Sequence, residues 1–215
     1  MAQPRRFRSL MAPAGLLLAA LLAACTGLPK VAPTYAVHDF GGPGPVAARS
    51  LGFPLRNVEV VAPPWLASTA MQYRLAYVQA TRRQAYVESR WAAQPAQLVE
   101  LALKRAIRTG EAGAAGACRL RVELDEFAQV FDAEATSRGV VEARAVLMAP
   151  RTDQIIASRS FSLAQPAPSA DALGGVNALR GSVQQLGSAL FGWLDGLDRD
   201  AAAQGSGSLR SRCGA

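Results

Sequence analysis

The sequence predicts an α+β domain, an α/β sandwich: a mostly antiparallel sheet of about six to seven strands with two main helices packed on it. Three observations carry this expectation. Met71, Tyr73, Leu75 and Tyr77 alternate with Gln72, Arg74 and Ala76, the period-two pattern of a half-buried strand. Two other segments, around Leu98–Ala106 and from Asp171 to Arg199, carry apolar stripes at helical spacing. The strands that follow Cys118 are joined by short links, which only antiparallel neighbours allow.

Residues 1–24 read as a secretory leader. Arg5, Arg6 and Arg8 form a basic start, Leu16–Leu22 an apolar run too short to span a bilayer, and small residues precede Cys25. "LAAC", Leu22 to Cys25, resembles the lipobox of bacterial lipoproteins. That resemblance implies cleavage before Cys25 and a covalent lipid, palmitate included, on its sulfur and new amino group. A thiol is the nucleophile that alkylation needs, and small neighbours admit a peptidase. Each buried methylene adds about 0.8 kcal/mol, so several chains make a stable anchor. An ordinary cleaved signal with a chance cysteine is the alternative. Residue 26 is Thr, not the Asp that retains such lipoproteins in the inner membrane. In a Gram-negative cell this favours the outer membrane, periplasmic face, over the inner membrane.

Residues 25–33 form a lipidated tether. The main domain is expected over 34–200. Thr34–Phe40 reads as a first strand, "GGPGP" as a loop, and Asn57–Ala62 as a second strand closed by Pro63 and Pro64. The Met71–Tyr77 strand turns near Thr81–Arg83 into Gln84–Ser89, a hairpin. Pro95 starts a helix, where its missing N–H is no loss. Lys104, Arg105 and Arg108 suit its C-terminal dipole, and Gly110 its stop.

"GEAGAAGA" is a linker. Leu120, Val122 and Leu124 then alternate inward, with a phase slip near Glu126 and Phe127 that marks a bulge. Gly139–Met148 and Gln154–Leu163 are the next strands, "TSRG" and "APRTDQ" their turns. On the last helix Val176, Val183, Leu190 and Leu197, with Leu179, Leu186 and Trp193, form one seam. It either packs on the chain's own sheet or meets a coiled-coil partner, so a homo-oligomer stays open. Its glycines, Gly181, Gly187, Gly192 and Gly196, weaken the helix but allow close packing. Residues 201–215 read as a disordered tail unless a disulfide holds them. Cys118 and Cys213 are the possible pair; the alternative is a buried thiol and a free one.

The chain has 215 residues and a net charge of +7, part of it from the leader arginines, so the mature domain is only modestly basic. Its arginines are interspersed with acids and no basic run interleaves with aromatics, which argues against nucleic acid as a partner. Two cysteines and a single histidine make no convincing metal site. There is no G-x-S-x-G, H-E-x-x-H, Walker loop or G-x-G-x-x-G. His38 reads as structural or exposed rather than as a catalytic base. Asp125 with Glu126, and Asp132 with Glu134, read as a solvated face. The expectation is a protein that is not an enzyme and needs no cofactor beyond the lipid on Cys25.

Met71–Ile107, "MQYRLAYVQATRRQAYVESRWAAQPAQLVELALKRAI", resembles the ABC-type transport auxiliary lipoproteins, a family that includes the lipoprotein of the paraquat-inducible transport system. Tyr73, Arg74, Trp91, Pro95, Leu98 and Leu103 hold the pattern of strand, hairpin, tryptophan, proline and leucine-rich helix. The lipobox, "TYAVHDF" and "CRLRVELDEFAQVF" follow the same order, over about residues 25–200. Where that family usually has Ala-Glu, this chain has Ala93-Gln94. The resemblance implies a fold similar to the N-terminal domain of TolB. It also implies two partners, an ABC transporter and a mammalian-cell-entry-type substrate-binding protein, which together move lipids or other hydrophobic molecules. The domain would act as their docking adaptor. Trp65 and Tyr86 are the candidate partner contacts; Trp91 and Trp193 read as core anchors. A different class is an assembly factor or plug for an outer-membrane protein, on the same anchor. A periplasmic hydrolase would have to use His38.

Overall fold

The computed structural model describes residues 34–42, 49–108, 116–152, 154–203 and 208–214. The leader, Cys25 and the tether lie outside the described residues. The strands are β1 (Ala36–His38), β2 (Arg49–Ser50), β3 (Leu55–Val61), β4 (Ala70–Leu75), β5 (Gln84–Trp91), β6 (Ile107–Arg108), β7 (Cys118–Ala133), β8 (Thr136–Met148) and β9 (Ile155–Pro166). The helices are α1 (Ala76–Gln79), α2 (Pro95–Ala106), α3 (Ala172–Ala203) and α4 (Leu209–Arg212), and a single 3-10 turn spans Pro64–Leu66.

Seven strands form one open sheet in the order β1-β5-β4-β7-β8-β9, with β3 also on β7; β2 and β6 make a small second sheet. The long β7 and β8 pair antiparallel, as do β8 with β9 and β4 with β5. Parallel pairs join β1 to β5, and both β3 and β4 to β7. β3 and β4 share one edge of β7: β3 covers Cys118–Glu123 and β4 covers Gln129–Phe131. The expected bulge falls between them, as a register shift between Leu124 and Glu126.

Alternation decides which face is buried. Leu120, Val122 and Leu124 of β7, with Val141, Ala143, Ala145 and Leu147 of β8, point into the core. Residues of opposite phase form a polar outer face, where Glu123 stands opposite Arg144 and Arg144 opposite Ser160. Both long helices pack on the inner face. Val176, Leu179, Val183, Leu186, Leu190 and Leu194 of α3 are buried there. The seam on this helix is thus taken up by the chain's own core. Leu98, Val99 and Leu103 of α2 join it, and Glu100 Oε2 accepts a 3.0 Å hydrogen bond from the Val60 N–H of β3.

The helix ends follow local chemistry. Gln94 caps α2 and its N–H donates to Gln97 Oε1 at 3.2 Å, a capping box with Pro95 behind it. An uncharged Gln94 therefore serves as N-cap where an acid was expected from the family pattern. At α3, Asp171 Oδ1 accepts from Gly174 N–H at 2.7 Å. Gly174 is required at that cap, because a Cβ would run into the Ser169 carbonyl.

Two local expectations are corrected. Tyr77 does not continue β4: the chain turns into α1 there and leaves Tyr77 exposed. "TSRG" is not a turn; Thr136–Gly139 belong to β8, and the chain reverses at Glu134 and Ala135. Over 208–214 a disulfide holds the tail. Leu209 and Cys213 are fully buried, and Cys213 Sγ is bonded to Cys118 Sγ at 2.02 Å. No helix among the described residues is long and apolar enough to cross a membrane.

Candidate functional site

The described surface offers a groove with a mixed character. It lies between α2 and α3, beside the segment Phe40–Gly42, and encloses about 270 Å³. Its origin is a close helix approach. A Cβ on Gly187 of α3 would stand 3.3 Å from Ala106 Cβ of α2, so the two helices approach closely there. The floor is apolar: Phe40, Ala102, Ala106, Val183 and Phe191. Phe40 belongs to an aromatic cluster with Trp91, 5.8 Å away, and Phe127, 6.2 Å away, which fixes that end of the floor to the core.

The rim is basic. Arg49, Arg105 and Arg180 line the groove, and among the described residues no carboxylate does. All three are exposed. Arg49 lies 5.2 Å over the Phe191 ring, a cation–π contact that holds it at one end. Ser188 and Gln184 supply neutral polar groups along the same helix.

Of the residues singled out in the sequence, Trp65 is 56% exposed. It sits on the 3-10 turn between two rigid features, Pro63–Pro64 before it and the hydrogen bond from Gln72 Nε2 to its carbonyl, 2.6 Å. Tyr86 is half-buried, less open than Trp65. Its ring packs at a tilt against Tyr73, centroids 4.7 Å apart, and its hydroxyl donates to Gln129 Oε1 at 2.8 Å. Gln129 Nε2 in turn donates to Ser137 Oγ at 2.8 Å. Burial first, then the Tyr73 phenol and the Asp171 carboxylate, push the Tyr86 hydroxyl well above its ordinary range. Trp91 is buried, and Trp193 packs edge-on against Phe161 at 6.1 Å.

The carboxylates expected on a solvated face divide. Asp132 pairs with Arg138 at 3.0 Å in an exposed setting. Glu126 instead is half-buried at the bulge, where Arg74 (3.0 Å) and Arg83 (2.8 Å) converge on it. Arg74 also donates to the Ala80 and Thr81 carbonyls, so the hub ties the β4–β5 turn to β7. The bulge was legible in the sequence, but its charge partners were not, because they lie over 40 residues away. The groove arginines were missed too. Their signal would have been Arg180 and Gly187 spaced seven apart on the edge of the α3 seam. His38 is half-buried in β1 and its carbonyl accepts from Ala92 N–H. Among the described residues no group of His, Cys, Asp and Glu is arranged to hold a metal.

No protein-family model matches the chain, and no curated protein does. Solved structures share its fold. Protein XCC0632 from Xanthomonas campestris, of DUF330, superposes with a TM-score of 0.57 at 20% identity, over 75% of this chain and 91% of its own. An uncharacterized protein superposes with a TM-score of 0.54 at 17% identity, over 73% of this chain and 96% of its own. Lipoprotein GNA1162 from Neisseria meningitidis reaches only 0.27 at 14% identity, over 67% and 96%. At such identities the first two likenesses are of fold.

Proposed function

We propose that the protein is a membrane-anchored periplasmic lipoprotein that serves a mammalian-cell-entry-type ABC system for lipids or other hydrophobic molecules as its docking adaptor. The reading rests on the leader ending at Cys25, on the resemblance over Met71–Ile107, and on one structural observation. That observation is Trp65: a large aromatic, 56% exposed, held on a proline-stiffened turn. A rigid aromatic costs little ordering entropy on binding and is the usual anchor of an interface. The lipid on Cys25 would confine the domain to one membrane, most simply the outer one. Confinement raises effective concentration, so a small contact around Trp65 suffices.

A pull-down from crosslinked native membranes tests this. The full chain is expected to recover a mammalian-cell-entry protein or its ABC permease. Cys25→Ala should abolish recovery, and Trp65→Ala should reduce it at least tenfold without lowering the thermal midpoint. Recovery of an outer-membrane barrel alone would replace this reading with that of an assembly factor. Recovery of neither would end it.

A further inference from the structure

We infer that the groove between α2 and α3 binds a single-chain anionic amphiphile: an acyl chain on the apolar floor and a carboxylate or phosphate held by the arginines of the rim. The inference goes beyond the adaptor reading and does not depend on it, because it stands on the groove alone.

Apolar side chains make the groove's floor and arginines its rim, with Arg180 toward one end and Arg49 beside Phe191 toward the other. Val183, Gly187 and Phe191 follow one another along α3 at helical spacing and make an apolar track. Val183 to Phe191 is eight residues of helix, so the apolar track is roughly 12 Å long, with Arg180 just beyond one end. That is the shape of an extended chain rather than of a compact polar metabolite. The volume, about 270 Å³, is at the low edge of small-molecule pockets, roughly 300–1,000 Å³. It suits one chain and is too small for a two-chain phospholipid.

The charge calls for an anion. Among the described residues no acidic side chain lines the groove. Among the described residues none of Arg49, Arg105 and Arg180 has a carboxylate partner, whereas Arg74, Arg83 and Arg138 elsewhere do. Guanidinium groups bind carboxylate and phosphate through paired N–H donors, and do so more strongly beside an apolar wall than in open water. An uncharged lipid would leave this rim unused, and a free inorganic anion would leave the floor wet.

Native mass spectrometry and calorimetric titration of the purified full chain provide the test, with laurate, lauroyl lysophosphatidylglycerol and uncharged lauroyl glycerol as probes below their micellar concentrations. One equivalent of an anionic probe is expected to bind at least tenfold more tightly than lauroyl glycerol. Arg105→Glu and Arg180→Glu should each weaken it tenfold or more, and Arg56→Glu, outside the groove, should not. Ser188→Trp, at an exposed position on the groove wall, should block binding while leaving the thermal midpoint unchanged. Preference for laurate would identify a carboxylate ligand, and preference for the lysophospholipid a phosphate headgroup; either supports the site. Equal binding of the neutral probe, insensitivity to the two charge reversals, or no binding by a folded chain would overturn it. A failed pull-down in the adaptor test would leave these titrations unaffected.

Discussion

Asp171 shows how much one side chain settles. Its carboxylate accepts from the Gly174 N–H and from the Ser169 hydroxyl, and these bonds hold it below the usual aspartate range. A carboxyl lowered on folding adds stability above its unfolded value, about 3.9, and that contribution is lost as pH falls through the folded value. Because Asp171 is exposed, solvent screens it and its worth stays at the level of a helix cap. Asp171→Ala should cost about 1 kcal/mol at pH 7 in urea unfolding. The gap to the parent should narrow below pH 4, and Asp171→Asn should restore most of the stability without that pH dependence. Aspartate ahead of an apolar stripe is a signal any reader of the sequence meets. Glu126 is the opposite case. Its neighbours in sequence say only that a bulge is near, and its role comes from Arg74 and Arg83, which the β4–β5 hairpin carries to it.

At the scale of elements, the contact of α3 with the sheet is set by glycines on both sides. Gly139 in β8 faces the α3 backbone so closely that a Cβ would overlap the amide of Leu179, and its carbonyl accepts from Ser182 Oγ at 2.7 Å. Gly175 of α3 meets the side-chain amide of Gln129, where a Cβ would overlap it. The glycines noted from the sequence therefore do two different jobs. Gly187 packs against α2, while Gly192 and Gly196 face open space. Gly139→Ala should cost about 1–3 kcal/mol as helix and sheet are forced apart. Gly192→Ala should gain up to about 1 kcal/mol, since only helix propensity changes. Paired denaturant curves would distinguish the two. If both shifted alike, the close approach at Gly139 would not be what limits packing.

Across the whole molecule, the disulfide joins the first residue of β7 to the end of the chain over a separation of 95 residues. Closing so long a loop restricts the unfolded chain, and bonds of this kind contribute about 2–4 kcal/mol. Cys213→Ser should lower stability by that amount. A reductant should depress the thermal midpoint of the parent and leave that of the variant where it is. Leu209 and the turn of α4 are packed with the same end, so loss of the bond should also raise hydrogen exchange over residues 208–214.

The sequence by itself determined the α+β class, the two long helices, the inward phase of β7, the bulge near Glu126 and the core placement of Trp91. All are local: periodicity, proline and glycine act within a few residues of where they stand. Only the tertiary structure decided that β3 and β4 run parallel to β7 along one edge, that Tyr86 turns inward to Gln129, and that Arg49, Arg105 and Arg180 ring one groove. A pattern of apolar residues states that a face is covered but not by what. Partners, cavities and converging charges arise when distant segments pack, and that free energy is shared among contacts no single stretch of chain contains.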